Sequence, residues 1–359
     1  EKDADHLLRI LYSKGVLAKS NIFPNKYVIA PPPPPPGAAV LLDVKTGAIL
    51  ALASKPNYNL EDLSPRMSQL TYDKIERQEA WLPRAWHPGY CPASPFKLVT
   101  AVAALRANVV TPEEKLTCDG IYKGMECHCY PGRHGDMDLR SAIAQSCNVY
   151  FFQLAERLGE KLLISEAKSF GMNQSPLIQL PSLRNSPNVP DPEWKKKKVG
   201  EKWALEDTFN VAIGQGGLRQ SPLQMACFAA ALANQNRIFH PKLIKSSSGN
   251  SVKTSSQPIG LSKENMSAII EGMLDATIKG TAKRCKIEGI EIAGKTGTAQ
   301  WRNHNMQLNL AWFIGFAPVQ NPEVAIAVLI EGILPQDHIQ GGLTATPVAR
   351  EILQAYFNK

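Results

Sequence analysis

Three short groups of residues have the types and spacing that acyl transfer needs. Ser94 stands before Pro95, Phe96 and Lys97, and small or apolar residues then run from Leu98 to Leu105. That run predicts a buried helix with Pro95 in its first turn, where a missing N–H costs nothing. A serine and a lysine three positions apart share one helix face, so the Lys97 amine can take the proton that Ser94 loses on attacking a carbonyl. A lone pair of this kind is a weak signal, because a helix cap followed by a solvated lysine has the same spelling. Ser146-Cys147-Asn148 and, on a strand-like run, Gly294-Lys295-Thr296-Gly297-Thr298 strengthen it. Ser146 can relay a proton among Lys97, Lys295 and a leaving amine, and Asn148 can orient Lys97 and a substrate amide. Lys295 supplies a positive field, the Thr296 and Thr298 hydroxyls can grip a carboxylate, and Gly297 leaves the strand face open to a substrate backbone. Backbone N–H groups of Ser94 and Thr298 are the candidate oxyanion donors.

The elements that must bring these groups together are legible in outline. Ala38 to Asp43 and Ala48 to Ser54 flank Lys45-Thr46-Gly47 as a β-hairpin. Residues 55–90 read as loop-rich, 109–140 as irregular, and 181–200 as loop. Leu139 to Leu158 reads as one helix stopped by Gly159, and further helices are expected from Ser221 to Leu232 and from Ser262 to Ile278. Glu291–Trp301, Leu310–Phe316 and Val324–Ile330 are β-branched and aromatic runs, followed by a closing helix from Thr346 to Phe357. Two strands, a helical middle, three strands and a helix predict an α+β fold: one antiparallel sheet built from both ends of the chain and flanked by helices. An all-helical subdomain, roughly 90–285, is inserted between its strands. Residues 1–37, with weak helical periodicity from His6 to Leu17 and the stiff Pro31–Pro36 spacer, are read as an N-terminal remnant and linker ahead of a 38–359 domain.

Composition narrows the function. The chain has 359 residues, 44% hydrophobic and 20% charged, which is ordinary for a globular protein. Its +8 net charge is scattered, so no nucleic-acid partner is expected. The one dense run, Lys195 to Lys198, reads as a solvated loop, with attraction to an anionic polymer or membrane surface as the alternative. No apolar run reaches the roughly 18 residues of a membrane span, and no signal peptide is present. The sequence opens at Glu1 without a Met, so the lack of an anchor within it does not show that the natural protein lacks one.

Ser-x-x-Lys, Ser-x-Asn and Lys-Thr-Gly, in that order, is the motif set of penicillin-binding proteins and serine β-lactamases. Over roughly 38–357 the chain resembles the transpeptidase domain of class B penicillin-binding proteins. Ile213-Gly214-Gln215-Gly216, Ser221-Pro222-Leu223-Gln224 and Ala311-Trp312-Phe313-Ile314-Gly315-Phe316-Ala317-Pro318 add to the match. Glu193-Trp194-Lys195 and Gly200-Glu201-Lys202-Trp203 are similar to the elongation-specific members. The usual Pro-Gly-Ser-Thr-Phe-Lys reads Pro92-Ala93-Ser94-Pro95-Phe96-Lys97 here, which keeps both reacting residues. The resemblance implies D,D-transpeptidation: Ser94 is acylated by a D-Ala-D-Ala stem peptide, a second stem's amine completes the cross-link, and β-lactam antibiotics inhibit. It also implies work at the periplasmic face of the inner membrane beside a SEDS-type glycosyltransferase and other elongation-complex proteins. A serine β-lactamase, or a β-lactam sensor or inert scaffold on the same fold, is the alternative. The lactamase needs a base for water, and Glu206-Asp207-Thr208-Phe209-Asn210 has a carboxylate and an amide at tempting spacing, but Gly214-Gln215-Gly216 follows and suits the transpeptidase pattern better.

Seven cysteines are present, four of them between Cys118 and Cys147, with His128 and His134 among them. Three thiolates and an imidazole suit tetrahedral Zn2+. Similarity to zinc-binding elongation-type members favours Cys118, Cys129, His134 and Cys147, with Cys127 and His128 as substitutes and a structural role for the ion. A disulfide from Cys127 or Cys129, or plain buried thiols, remain the alternatives.

Overall fold

The computed structural model describes residues 17–19, 27–29, 34–176, 178–180, 183, 185–244, 257–303, 306–335 and 337–358. The chain divides into two compact units, Glu1–Pro35 and Pro36–Lys359. In the first, β1 (Leu17–Lys19) pairs antiparallel with β2 (Tyr27–Ile29). The helical periodicity read over His6–Leu17 lies outside the described residues, save Leu17, which opens β1.

The second unit is built on β3 (Gly37–Asp43), β4 (Ile49–Lys55), β9 (Ala293–Asn303), β10 (Met306–Ala317) and β11 (Val324–Glu331). Their order is β4-β3-β11-β10-β9, antiparallel throughout, so both ends of this unit meet in one sheet as expected. Short strands β5 (Leu116–Cys118), β6 (Ile121–Tyr122), β7 (Met125–Glu126) and β8 (Gly135–Met137) form two small ribbons between these halves, so the inserted stretch read as all-helical over roughly 90–285 is mainly helical with two ribbons in its irregular segment. The Asp43 carboxylate accepts from the Lys45 and Thr46 amides at 2.9 and 2.6 Å and closes the β3–β4 turn.

Side chains alternate across the sheet. Ala325, Ala327 and Leu329 of β11 join the core shared with the helical middle, as do Leu310, Trp312, Ile314 and Phe316 of β10. Val324, Ile326 and Val328, with Ala311 and Phe313, join a second core on the opposite face. Both faces are dry, which is why these strands read as continuous apolar runs.

Helices among the described residues are α1 (Gln69–Arg77), α2 (Lys97–Arg106), α3 (Leu139–Gln145), α4 (Asn148–Ser169), α5 (Pro192–Lys198), α6 (Leu205–Ala212), α7 (Pro222–Ala233), α8 (Lys263–Ile278) and α9 (Thr346–Phe357). Three readings need correction. Stretches read as loop contain α1 and α5, each short and held by a side-chain cap: Ser68 accepts from Thr71 N and Asp191 from Trp194 N. The single helix read from Leu139 to Leu158 is two, broken at Ser146–Cys147. Gly159 does not stop the second; it adopts φ 70° and ψ 165° as a kink, and the helix resumes to Ser169.

Behind the sheet's active end sits a buried charge cluster. Glu331, closing β11, accepts from Arg84 Nε at 2.8 Å and from the Tyr90 hydroxyl at 2.6 Å. Trp312 Nε1 donates to the Cys91 carbonyl at 2.8 Å, so residues 84–91 are tied down on the approach to Ser94. Burial raises the Glu331 carboxyl, and Arg84 and Tyr90 pull against that rise. Removing one partner strands the other charge in a dry interior. Arg84→Leu is therefore expected to lose about 3–5 kcal/mol of stability, read by urea denaturation; a loss under about 1 kcal/mol, as for an exposed ion pair, would show the cluster to be incidental.

Candidate active site

Ser94 opens a single 3-10 turn, Ser94–Phe96, that leads directly into α2. Ala93 before it has φ 55° and ψ −155°, a conformation L-residues rarely adopt, and its N–H donates to the Gly214 carbonyl at 2.9 Å. A Cβ on Gly214 would lie 1.9 Å from the Ala93 oxygen, so only glycine lets that loop close on the serine turn. Gly297 on β9 acts likewise: the space its Cβ would fill is taken by Pro95 Cδ at 2.5 Å and Ala93 Cβ at 2.9 Å. Its missing side chain seats the Ser94 turn against the strand, a different use from the open substrate face read in the sequence.

Two lysines converge from opposite sides. Lys97 Nζ donates to the Ser146 carbonyl at 2.7 Å, to Ser146 Oγ at 3.2 Å and to Asn148 Oδ1 at 2.6 Å. Lys295 Nζ donates to Ser146 Oγ at 2.8 Å and to the Thr296 carbonyl at 3.1 Å. Ser146 can face both because it is the left-handed C-cap of α3, at φ 58° and ψ 38°. Burial lowers Lys97 to about 8, the nearby Cys147 and Cys127 thiols opposing the shift. Burial, then the Lys97 charge, holds Lys295 well below the ordinary lysine value.

Ser94 Oγ makes no hydrogen bond to any described residue; it stands on the wall of a cleft of about 560 Å³ with Ser146, Asn148, Thr296, Gly297 and Thr298. The cleft therefore gathers Ser94, Ser146, Asn148, Thr296, Gly297 and Thr298 on one wall, with Lys97 and Lys295 buried behind it. The Lys97–Ser94 contact itself is not made, as is common before a substrate arrives. Thr296 Oγ1 pairs with Thr281 Oγ1 at 2.7 Å, and Thr298 Oγ1 accepts from Gly341 N at 3.1 Å. Thr281, Lys283 and Arg284, after α8, also line the cleft and were missed. They spell no motif, and only the fold carries that turn to β9.

The cysteine cluster lies at the junction of α3 and α4. The ligand atoms of Cys118, Cys127, His134 and Cys147 all lie within 4.8 Å of one another. Cys127 takes the place read for Cys129. Its sulfur accepts from the Asn148 amide at 3.2 Å and lies 3.6 Å from His134 Nδ1, whereas Cys129 Sγ turns to the Gly132 carbonyl at 3.6 Å and lies 4.0 Å from Cys118 Sγ. All seven cysteines are free, so no disulfide joins them. The contact between Cys127 and Cys147 pulls the first thiol far below its ordinary value and pushes the second far above it.

Comparison with known proteins agrees with this geometry. The family model described as the penicillin-binding protein transpeptidase domain matches residues 37–354. Peptidoglycan D,D-transpeptidase MrdA of Haemophilus influenzae is 30% identical over 89% of this chain and 52% of its own length. Peptidoglycan D,D-transpeptidase PbpA of Mycobacterium tuberculosis is 30% identical over 88% of this chain and 66% of its own. The crystal structure of Pseudomonas aeruginosa PBP2 in complex with WCK 5153 superposes with a TM-score of 0.82 at 29% identity, covering 90% of this chain and 74% of that one. The chain spans about half the length of the MrdA relatives it matches. With the motif residues assembled on one cleft and the family model covering nearly the whole second unit, the chain belongs to the penicillin-binding protein transpeptidase domain family.

Proposed function

We propose that the chain is the catalytic unit of a peptidoglycan D,D-transpeptidase of the penicillin-binding protein 2 type, cross-linking stem peptides during side-wall elongation. The observation that carries this reading is two buried amines meeting on one hydroxyl, Ser146 Oγ, behind a cleft that exposes Ser94 and has no carboxylate among the described residues of its walls. Neutral Lys97 takes the Ser94 proton while Oγ attacks the carbonyl of the penultimate D-alanine. The oxyanion is held by the N–H groups of Ser94 and Thr298, each worth roughly 3 kcal/mol in such sites. Collapse breaks the peptide bond, the leaving D-alanine amine takes a proton through Ser146 Oγ, and an ester remains on Ser94. The amine of a second stem attacks that ester, forms the new amide, and its surplus proton returns to Ser94 by the same route. Asn148 orients Lys97 and the substrate amide, while Thr296 and Thr298 on the cleft wall receive the terminal carboxylate in the positive field of Lys295 behind it.

The relatives support the covalent step: penicillin-binding protein A of M. tuberculosis, 30% identical with a TM-score of 0.70, is known as an imipenem acyl-enzyme complex. Inhibition of this chain by β-lactams follows. A β-lactamase reading lacks its base. Asp207 is spent on Lys195 at 2.6 Å and on the Ala204 amide at 2.7 Å, and neither it nor Glu206 lines the cleft. A peptidoglycan synthase complex that coordinates polymerization and crosslinking, 26% identical with a TM-score of 0.78, supports a polymerising partner; for this chain we propose a SEDS-type glycosyltransferase and other elongation-complex proteins, at the periplasmic face of the inner membrane. No helix among the described residues is long and apolar enough to cross a membrane.

Zn2+ is proposed at Cys118, Cys127, His134 and Cys147. A tetrahedral ion about 2.3 Å from each sulfur sets sulfurs roughly 3.8 Å apart, and Cys127 and Cys147 are 4.0 Å apart already. The ion would supply structural cohesion, fixing Cys147 between Ser146 and Asn148.

Mass spectrometry after penicillin exposure is expected to show one persistent adduct on the native chain and none on Ser94→Ala; turnover within seconds would instead mark a β-lactamase. Because the base must be the neutral amine, the acylation rate should climb with pH and level off near 8, the value to which Lys97 is lowered. A rate independent of pH below 8 would exclude Lys97 as base, as would a Lys97→Met variant losing less than the roughly 10²-fold typical of general-base removal. Metal analysis should find about one zinc per chain, lost in Cys127→Ser and retained in Cys129→Ser; the reverse pattern would restore the sequence's choice of ligand.

A further inference from the structure

Away from the catalytic cleft, and sharing none of its lining residues, lies a cavity of about 130 Å³ in the helical middle of the unit. Its floor is one face of α7, where Gln224, Cys227 and Phe228 follow at helical spacing. Phe170, just past the end of α4, closes one side, and Gln174 and His240 stand exposed at the rim. The Phe170 and Phe228 rings meet edge to face with centroids 5.1 Å apart. An apolar cavity of about 150 Å³ takes up benzene, so this one has room for a single ring.

Gln224 sets it apart from a plain apolar void. That residue is 5% exposed, and its Oε1 is buried with no partner among the described residues. Its Nε2 donates to none of them either. The backbone holds the side chain in place, since Gln224 N donates to Ser221 Oγ, the N-cap of α7, at 3.1 Å. A buried amide left unpaired costs free energy, and a ligand that makes both of its hydrogen bonds recovers it. The two-point partner of an amide is another amide edge, with N–H beside C=O.

Charge is unwelcome in this cavity. Arg237 stands on its wall but is already engaged: Nη1 donates to Glu166 Oε1 at 2.9 Å and to Ser169 Oγ, and Nη2 to the Ile259 carbonyl at 3.3 Å. No Asp, Glu or Lys is among the described residues that line it. An ionic ligand would lose its hydration there without meeting a free counter-charge.

We propose that this cavity is a binding site for a neutral, ring-sized molecule with a carboxamide edge. The ring packs against Phe170 and Phe228, and the amide pairs in two contacts with Gln224. The assignment is independent of the transpeptidase reading.

Benzamide is the probe, used on the whole chain, with toluene lacking the amide and benzoate carrying a charge in its place. By ligand-observed NMR titration, benzamide is expected to bind with a Kd of about 1 mM and about tenfold or more tighter than either analogue. Equal affinity for the three compounds overturns the assignment without recourse to variants, as does no benzamide binding at about 20 mM. Gln224→Leu removes an unpaired polar group, so its Tm should not fall, and its affinity for benzamide should drop to that for toluene. Cys227→Phe, which fills the cavity, should abolish binding of both. Benzamide affinity unchanged in a folded Gln224→Leu chain overturns the pairing. Displacement of benzamide by benzylpenicillin would place the probe in the catalytic cleft and overturn the site.

Discussion

Two lysines share one serine hydroxyl in an interior where both are fully buried, and the rest of the site follows from what that costs. An ammonium withdrawn from water is relieved by losing its proton, and a second ammonium nearby adds to the pressure. A fall from 10.5 to about 8 at Lys97 corresponds to about 3 kcal/mol held against folding at neutral pH. The folded state releases this proton more readily than the unfolded one. Folding is therefore penalised in full below about 8, and the penalty fades as pH rises from there to 10.5. What is lost in stability is a base able to work near neutrality. A carboxylate nearby would pair with the lysines and cancel the effect, which gives a physical reason for a cleft wall with none among its described residues.

Holding that arrangement requires three separate segments to meet without slack. Trp312 in β10 takes the Cys91 carbonyl, Gly214 takes the Ala93 amide, and the absent side chain of Gly297 admits Pro95. The sheet joins β3, near the start of this unit, to β9–β11, near its end, so the helical middle is clamped between strands distant in sequence. The same edge strand that seats the serine turn is the one on which an extended peptide must lie. Nucleophile position and substrate register are thus set by one element.

Much of this was legible in the sequence where a motif is local. Ser94 and Lys97 are one turn apart, and Lys295 to Thr298 lie on one strand, so type and spacing are enough. The break at Ser146 was not legible, because apolar residues keep a helical rhythm across it. A left-handed serine is a tertiary choice, made by the two lysines that bond it. Cys127 and Cys129 could not be told apart, since both flank His128 in a loop with no period to orient them. Glu331 passed unnoticed for a different reason: a charged residue closing an apolar strand reads as its exposed end, and only packing against Arg84 and Tyr90 buries it. The short helices α1 and α5 were hidden among Pro, Asn and Ser, where one capping side chain decides between turn and helix.

The cysteine cluster and the lysine pair are joined by a single residue. Asn148 gives its backbone amide to Cys127 Sγ and its side-chain oxygen to Lys97 Nζ. Being the first residue of α4, it cannot move without the N-cap, Cys147, whose sulfur accepts from Tyr150 N. The irregular segment between Cys118 and His134 is fastened to that helix by the sulfur and imidazole contacts of the cluster, and further along it by the Tyr122 hydroxyl, which donates to Glu156 at 2.5 Å. A cluster outside the cleft thereby fixes the angle at which Asn148 meets the base. Seen this way, the Cys at the centre of Ser146-Cys147-Asn148 is a mount for its two neighbours, and its burial at the helix cap accounts for its having no place on the cleft wall.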